Sequence, residues 1–296
     1  MFKFEGILTA MATPMNEDES INEEELRNQV NRQIDAGIHG LFCLGTNGEF
    51  YSLTNDEKTR ILRIVVDEVD GRVPVVGGVG CISTLDTIKL AQEIENYSLS
   101  ALSVIVPYFV ELSQEQLYSH YISVAEAVSL PIFIYNIPMR TGNNIEIETV
   151  NRLAQHPNIV GIKDSSGDIE NVKNLIKTSD PDFHVFVGTD SLILQTLMAG
   201  GNGAVAGCGN LFPGLIAGIY DAWKDGDLEK AEKYQQKVLP IRSAFKMGNP
   251  NSIVKRTMNL LGYTVGPARR PANIETQEVD DLITDIISTN SLSQYA

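Results

Sequence analysis

Short apolar runs alternate along this chain with longer segments whose apolar residues recur at helical spacing. The runs fall at 6–13, 40–44, 73–78, 101–107, 131–135, 160–163, 184–187 and 204–206, about eight in all and about 30 residues apart. Apolar strands separated by amphipathic helices predict a parallel sheet joined by crossover helices, and eight such units close a (β/α)8 TIM barrel.

Helix starts are marked chemically. In Thr54-Asn55-Asp56-Glu57 a hydroxyl and a carboxylate three residues on can satisfy each other's unpaired amides, and Ser113-Gln114-Glu115-Gln116 repeats the device. After the first cap, Ile61, Leu62, Ile64, Val65 and Val69 form a one-sided stripe, the face a barrel helix turns to its strands. Beyond about Asp225 the strand pattern stops, and 228–238, 252–261 and 277–287 read as helices. The expected organisation is a barrel over 1–225 and a C-terminal helical region over 226–296, with Gly266-Pro267-Ala268-Arg269-Arg270-Pro271 as an interhelix loop.

Composition narrows the partners. The chain has 296 residues, 43% of them hydrophobic, enough for one large core, and its 38 acidic against 23 basic residues give a net charge of −15. That charge repels nucleic acid and anionic membranes, so small molecules are the expected partners. Cys43, Cys81 and Cys208 are odd in number and widely spaced, which suits a reducing compartment. The opening residues lack a leader pattern and no run reaches the ~18 apolar residues of a membrane span, so the expected location is the cytoplasm.

In barrels of this kind the chemistry sits where strands end at their C-terminal side. Four places qualify: Gly45-Thr46-Asn47-Gly48-Glu49, the stretch from Tyr135 to Gly142, Lys163-Asp164, and the glycine-rich segment from Gly200 to Gly209. Lys163 closes an apolar strand, where desolvation favours a neutral, nucleophilic amine; a structural pair with Asp164 is the equally available alternative. Tyr135 could move a proton, although a core tyrosine with one satisfied hydroxyl is the commoner use of that residue. Arg140 could grip a carboxylate or be a solvated loop arginine, and Thr46-Asn47 could offer donors to an anion or only make a turn. No phosphate-binding loop or dinucleotide fingerprint is present, and His39, His120, His156 and His184 lack paired-ligand spacing, so neither a cofactor nor a metal is expected.

With Gly-Thr-x-Gly-Glu at 45–49, Tyr-Asn-x-Pro at 135–138 and Gly-Ile-Lys-Asp at 161–164, the chain from about Gly6 to Pro271 resembles the dihydrodipicolinate synthase and N-acetylneuraminate lyase superfamily of pyruvate-dependent class I aldolases. The resemblance implies that Lys163 forms the Schiff base, Tyr135 shuttles protons, and Thr46 links Tyr135 to a second tyrosine, matched here by Tyr108, which crosses from a neighbouring subunit. It implies a homotetramer built as a dimer of dimers. Thr46 and Asn47 would hold the pyruvate carboxylate, and Gly188 and Val205 would line the bound keto acid. Arg140 looks like the synthase branch, in which this arginine binds aspartate semialdehyde to give 4-hydroxy-tetrahydrodipicolinate. Asn47 stands in place of a second threonine, and Asn47-Gly48-Glu49-Phe50 with Lys163-Asp164-Ser165-Ser166-Gly167 looks instead like aldolases that release pyruvate from 4-hydroxy-2-oxoglutarate or a 2-keto-3-deoxy sugar acid. Phe50, Tyr51, Asn55, Lys58 and Ile82 stand where lysine-inhibited synthases carry polar groups, so no strong lysine inhibition is expected. A 2-keto acid-binding protein without catalysis is the reading from another class.

Overall fold

A computed structural model describes residues 4–273 and 276–296; residues 1–3 of the opening stretch lie outside the described residues. Eight parallel strands close a barrel in sequential order: β1 Gly6–Ala10, β2 Gly40–Cys43, β3 Val75–Gly78, β4 Ala101–Ile105, β5 Ile132–Asn136, β6 Ile159–Asp164, β7 His184–Val187 and β8 Gly203–Ala206. Each expected run overlaps its strand, with differences only at the ends. β1 stops at Ala10 rather than 13: Met11 N still donates to the Phe42 carbonyl of β2 at 3.0 Å, but Ala12 N donates to the Asn210 side chain at 2.9 Å, and Thr13 turns its hydroxyl to the Gly48 carbonyl at 2.7 Å.

The helix Asn55–Val69 opens with the expected capping box: Glu57 N donates to Thr54 Oγ1 at 3.2 Å and Thr54 N to Glu57 Oε2 at 2.8 Å. Such a cap contributes about 1 kcal/mol. Its stripe of Ile61, Leu62, Ile64, Val65 and Val69 is buried, and Ser113 caps the helix Gln114–Ala127 in the same way with Gln116.

After the helix Pro213–Lys224 the chain is helical: Leu228–Ala244, Pro250–Leu260 and Gln277–Thr289. The first of these runs past the expected end at 238, through Pro240, to Ala244. Proline removes a helical hydrogen bond, but Val238, Ile241 and Ala244 are buried on the barrel side, and that packing carries the helix through. The extra turn brings Arg242 to the barrel mouth.

Candidate active site at the strand ends

The strand register places the first pair. Tyr135 on β5 lies opposite Lys163 on β6, and Asn136 opposite Asp164. Because side chains alternate along a strand, Tyr135 and Lys163 share the interior face while Asn136 and Asp164 take the other. Asp164 therefore does not pair with Lys163. Its carboxylate accepts from Asn136 Nδ2 at 2.9 Å, Asn171 Nδ2 at 3.2 Å and Ser166 N at 3.1 Å.

Lys163 is 4% exposed, with its amine 4.0 Å from the centre of the Tyr135 ring and 4.4 Å from that of Phe42. Leu8, Phe42, Val76, Phe133, Phe186 and Val205 pack around it and leave only about 10 Å³. Burial drives its pKa down to about 7, against the opposing pull of the Asp190 carboxylate. The two ring faces also favour an ammonium, by about 0.5–2 kcal/mol each, so desolvation is the larger effect. A large share of the amine is neutral at neutral pH, the form that attacks a carbonyl.

The Tyr135 hydroxyl lies 2.9 Å from Thr46 Oγ1 and also hydrogen-bonds the Ser165 side chain. Burial raises its pKa, and these two bonds oppose the rise. A protonated phenol beside the lysine, joined to two further hydroxyls, can donate a proton and have it replaced.

These groups open into a cavity of about 650 Å³ lined by Lys163, Tyr135, Thr46, Asn47, Arg140, Gly188 and Val205. Gly188 has a steric reason to be glycine. A Cβ there would lie 1.9 Å from Ser165 Oγ and 3.0 Å from Lys163 Cε, so any side chain would push into the amine's approach. Arg140 sits exposed on the short helix Pro138–Thr141. Tyr108 is the nominated residue set apart. It lines an adjoining pocket of about 290 Å³ with Thr46, Phe50, Tyr51 and Arg140, and no hydrogen bond joins it to Thr46 among the described residues. Phe109 beside it is 90% exposed at a φ of 80°, a costly conformation for a large side chain, in a loop whose Pro107 and Val110 carbonyls both accept from Asn143 Nδ2.

Three residues at the site were not picked out from the sequence, and Ser165 was noted there only as part of the stretch after Lys163, without its contact with Tyr135. Asp190 is buried after β7, accepting from Cys208 N at 3.1 Å and sitting 3.2 Å from Arg242 Nε. Arg242 and Asn251 come from the C-terminal helices, where a rule about strand ends does not reach. Asn251 Nδ2 donates to the Thr46 carbonyl at 2.7 Å and to Tyr51 OH at 2.9 Å.

Residues 3–290 match the model of the dihydrodipicolinate synthetase family. The chain is 39% identical over 285 residues to the 4-hydroxy-tetrahydrodipicolinate synthase of Methanopyrus kandleri, covering 95% of each chain. It is 36% identical over 266 residues to an uncharacterized DapA-like lyase of Halobacterium salinarum, covering 90% of this chain and 87% of the relative. Among solved structures it superposes at a TM-score of 0.94 on dihydrodipicolinate synthase DapA-2 from Bacillus anthracis, with 32% identity over 98% of this chain and 99% of that one. The same score relates it to an E. coli prophage protein of the dihydrodipicolinic acid synthase family in complex with pyruvate, with 31% identity, 98% of this chain and 100% of that one.

Proposed function

The chain belongs to the dihydrodipicolinate synthetase family of pyruvate-dependent Schiff-base lyases, and from that premise we propose that it condenses pyruvate with aspartate semialdehyde. The carrying observation is the buried Lys163 amine against the Tyr135 ring, with the Tyr135–Thr46 hydroxyl pair beside it and Arg140 on the same cavity. Neutral Lys163 adds to the keto carbon, and Tyr135 protonates the carbinolamine oxygen so that water leaves. The resulting iminium withdraws electrons, a methyl proton departs to the Tyr135 relay, and the enamine carbon attacks the aldehyde. Hydrolysis of the product imine returns the lysine. Thr46 and Asn47 hold the pyruvate carboxylate, Gly188 and Val205 border the keto acid, and Arg140 meets the carboxylate of the semialdehyde. Tyr108 acts as the outer end of the relay across a subunit contact.

A second reading is cleavage of 4-hydroxy-2-oxoglutarate or a 2-keto-3-deoxy sugar acid. It draws support from Asn47 and from the Ser165 and Ser191 hydroxyls lining the cavity. Borohydride reduction in the presence of pyruvate should fix pyruvate to Lys163. Turnover with aspartate semialdehyde, glyoxylate or glyceraldehyde then ranks the two readings, and pyruvate binding with no hydrogen exchange at its methyl group would leave only a binding protein. We place the enzyme in the cytoplasm as a homotetramer. Tyr51, Ile82, Leu85, Phe109 and Val110 are exposed large apolar residues in the segments following β2, β3 and β4, the kind of surface a subunit covers. Sedimentation of the purified protein reads the assembly. Activity unchanged by lysine is expected, given Phe50, Tyr51, Asn55, Lys58 and Ile82 where lysine-inhibited synthases carry polar groups.

A further inference from the structure

The protein carries a net charge of −15, yet its cavity gathers Arg140, Lys163, Arg242 and Lys246 and, among the described residues that line it, a single carboxylate, Asp190. Cations concentrated in one cleft of an acidic protein focus an attractive field on an anion there. They arrive from two sides of the chain: Arg140 from the segment after β5, Arg242 and Lys246 from the helix Leu228–Ala244 and the turn that follows it.

Arg242 is held in place. Its Nε lies 3.2 Å from Asp190 Oδ2, its guanidinium carbon lies 5.1 Å from the centre of the Phe245 ring, and Asp190 is itself fixed by Cys208 N. Neither Nη of Arg242 donates a hydrogen bond among the described residues, and the exposed Lys246 has no ion-pair partner there. With the Asp190 ion pair on its Nε side, the guanidinium keeps both Nη groups to donate to an oxyanion, the fork suited to carboxylate or phosphate. At about 650 Å³ the cavity has room well beyond three-carbon pyruvate.

Resting on the Schiff-base reading above, we propose that Arg242, assisted by Lys246, forms an anion subsite on the C-terminal-helix side of the cavity. Together with Arg140, which reaches the same cavity from the segment after β5, it takes the distal oxyanion group, carboxylate or phosphate, of the aldehyde that meets the pyruvate enamine, or the corresponding end of the larger keto acid in cleavage. Arg242 and Lys246 then determine specificity for the second substrate.

The test is steady-state turnover of pyruvate with neutral glyceraldehyde, aspartate semialdehyde and glyceraldehyde 3-phosphate, in the unaltered protein and in Arg242→Gln and Lys246→Gln. The expected result is a preference of the unaltered protein for an anionic aldehyde; which one identifies the group. Arg242→Gln should reduce that preference by on the order of tenfold, mainly through KM. Lys246→Gln should reduce it less, and, lacking the contact with Asp190, it serves as the second probe if Arg242→Gln folds poorly. Taking a ratio of aldehydes cancels any change in Lys163 that follows from freeing Asp190. Equal loss on all three aldehydes, or no preference for charge in the unaltered protein, would overturn the subsite. Borohydride trapping of pyruvate on the unaltered protein separates the two failures: a trapped lysine with no charge preference defeats only the subsite, and no trapped lysine defeats the Schiff-base reading with it.

Discussion

The cavity has two walls made in different ways. On the barrel wall, Lys163 and Tyr135 sit opposite each other because backbone register puts them there, and both are buried. On the helical wall, Arg242 and Asn251 arrive on elements outside the sheet and are held by individual side-chain contacts at 3.2 Å to Asp190 and 2.7 Å to the Thr46 carbonyl. In the proposed reaction the first wall supplies reactivity through desolvation, and the second supplies position and charge, so damage to it should tune the reaction where damage to the first should end it.

The sharpest way to break this contrast is Lys163→Ala, which removes the proposed nucleophile. Turnover of pyruvate with any aldehyde should fall by at least about 10³-fold, while circular dichroism stays that of the folded barrel. Substantial residual turnover would mean the barrel wall does not carry the chemistry.

Next in size is a stability effect at the joint between the walls. Lys255 and Glu49, 1% and 0% exposed, pair at 2.6 Å, and Glu49 also accepts from Arg269 N. Lys255→Met would leave the Glu49 carboxylate buried without its cation, a loss of about 3–5 kcal/mol read by urea unfolding. A loss near zero would show that the helical segment is not fastened to the loop carrying Thr46 in this way.

The pH profile probes the barrel wall by itself. Burial depresses the Lys163 pKa to about 7, so the reactive neutral amine is the minor form below that pH and the major form above it. The rate of imine trapping with pyruvate should rise about tenfold per unit below pH 7 and level off above it. The Asp190 carboxylate opposes this depression, so Asp190→Asn should move the bend to lower pH. A bend near the ordinary lysine value would contradict the account of burial.

The same contrast governs how much was legible in the sequence. The strands and Lys163, Tyr135, Thr46, Asn47 and Arg140 could be located because strand ends converge on one place, Gly188 and Val205 followed from the family resemblance, and the cavity joins all seven residues. Tyr108 lines the adjoining pocket, and its proposed role depends on a contact between subunits that a single chain does not contain. Arg242 was hidden behind Pro240, where reading the helix naturally stops short. Asn251 belongs to a helix whose periodicity reveals its buried face but not which loop carbonyl one amide will reach.

Asn251 offers the smallest and most discriminating perturbation. Its amide nitrogen bonds the Thr46 carbonyl and Tyr51 OH, and it touches neither Lys163 nor Tyr135 among the described hydrogen bonds. Asn251→Ala leaves that carbonyl without its donor, a cost of about 1 kcal/mol, and lets the Thr46 hydroxyl drift from its 2.9 Å contact with Tyr135. If the helical wall acts by position, kcat should fall roughly five- to tenfold, with the pH at which imine trapping levels off unchanged, because the burial of Lys163 is untouched. A shift of that bend would mean that the helical wall also sets the lysine's environment, and the two walls would have to be treated as one electrostatic unit.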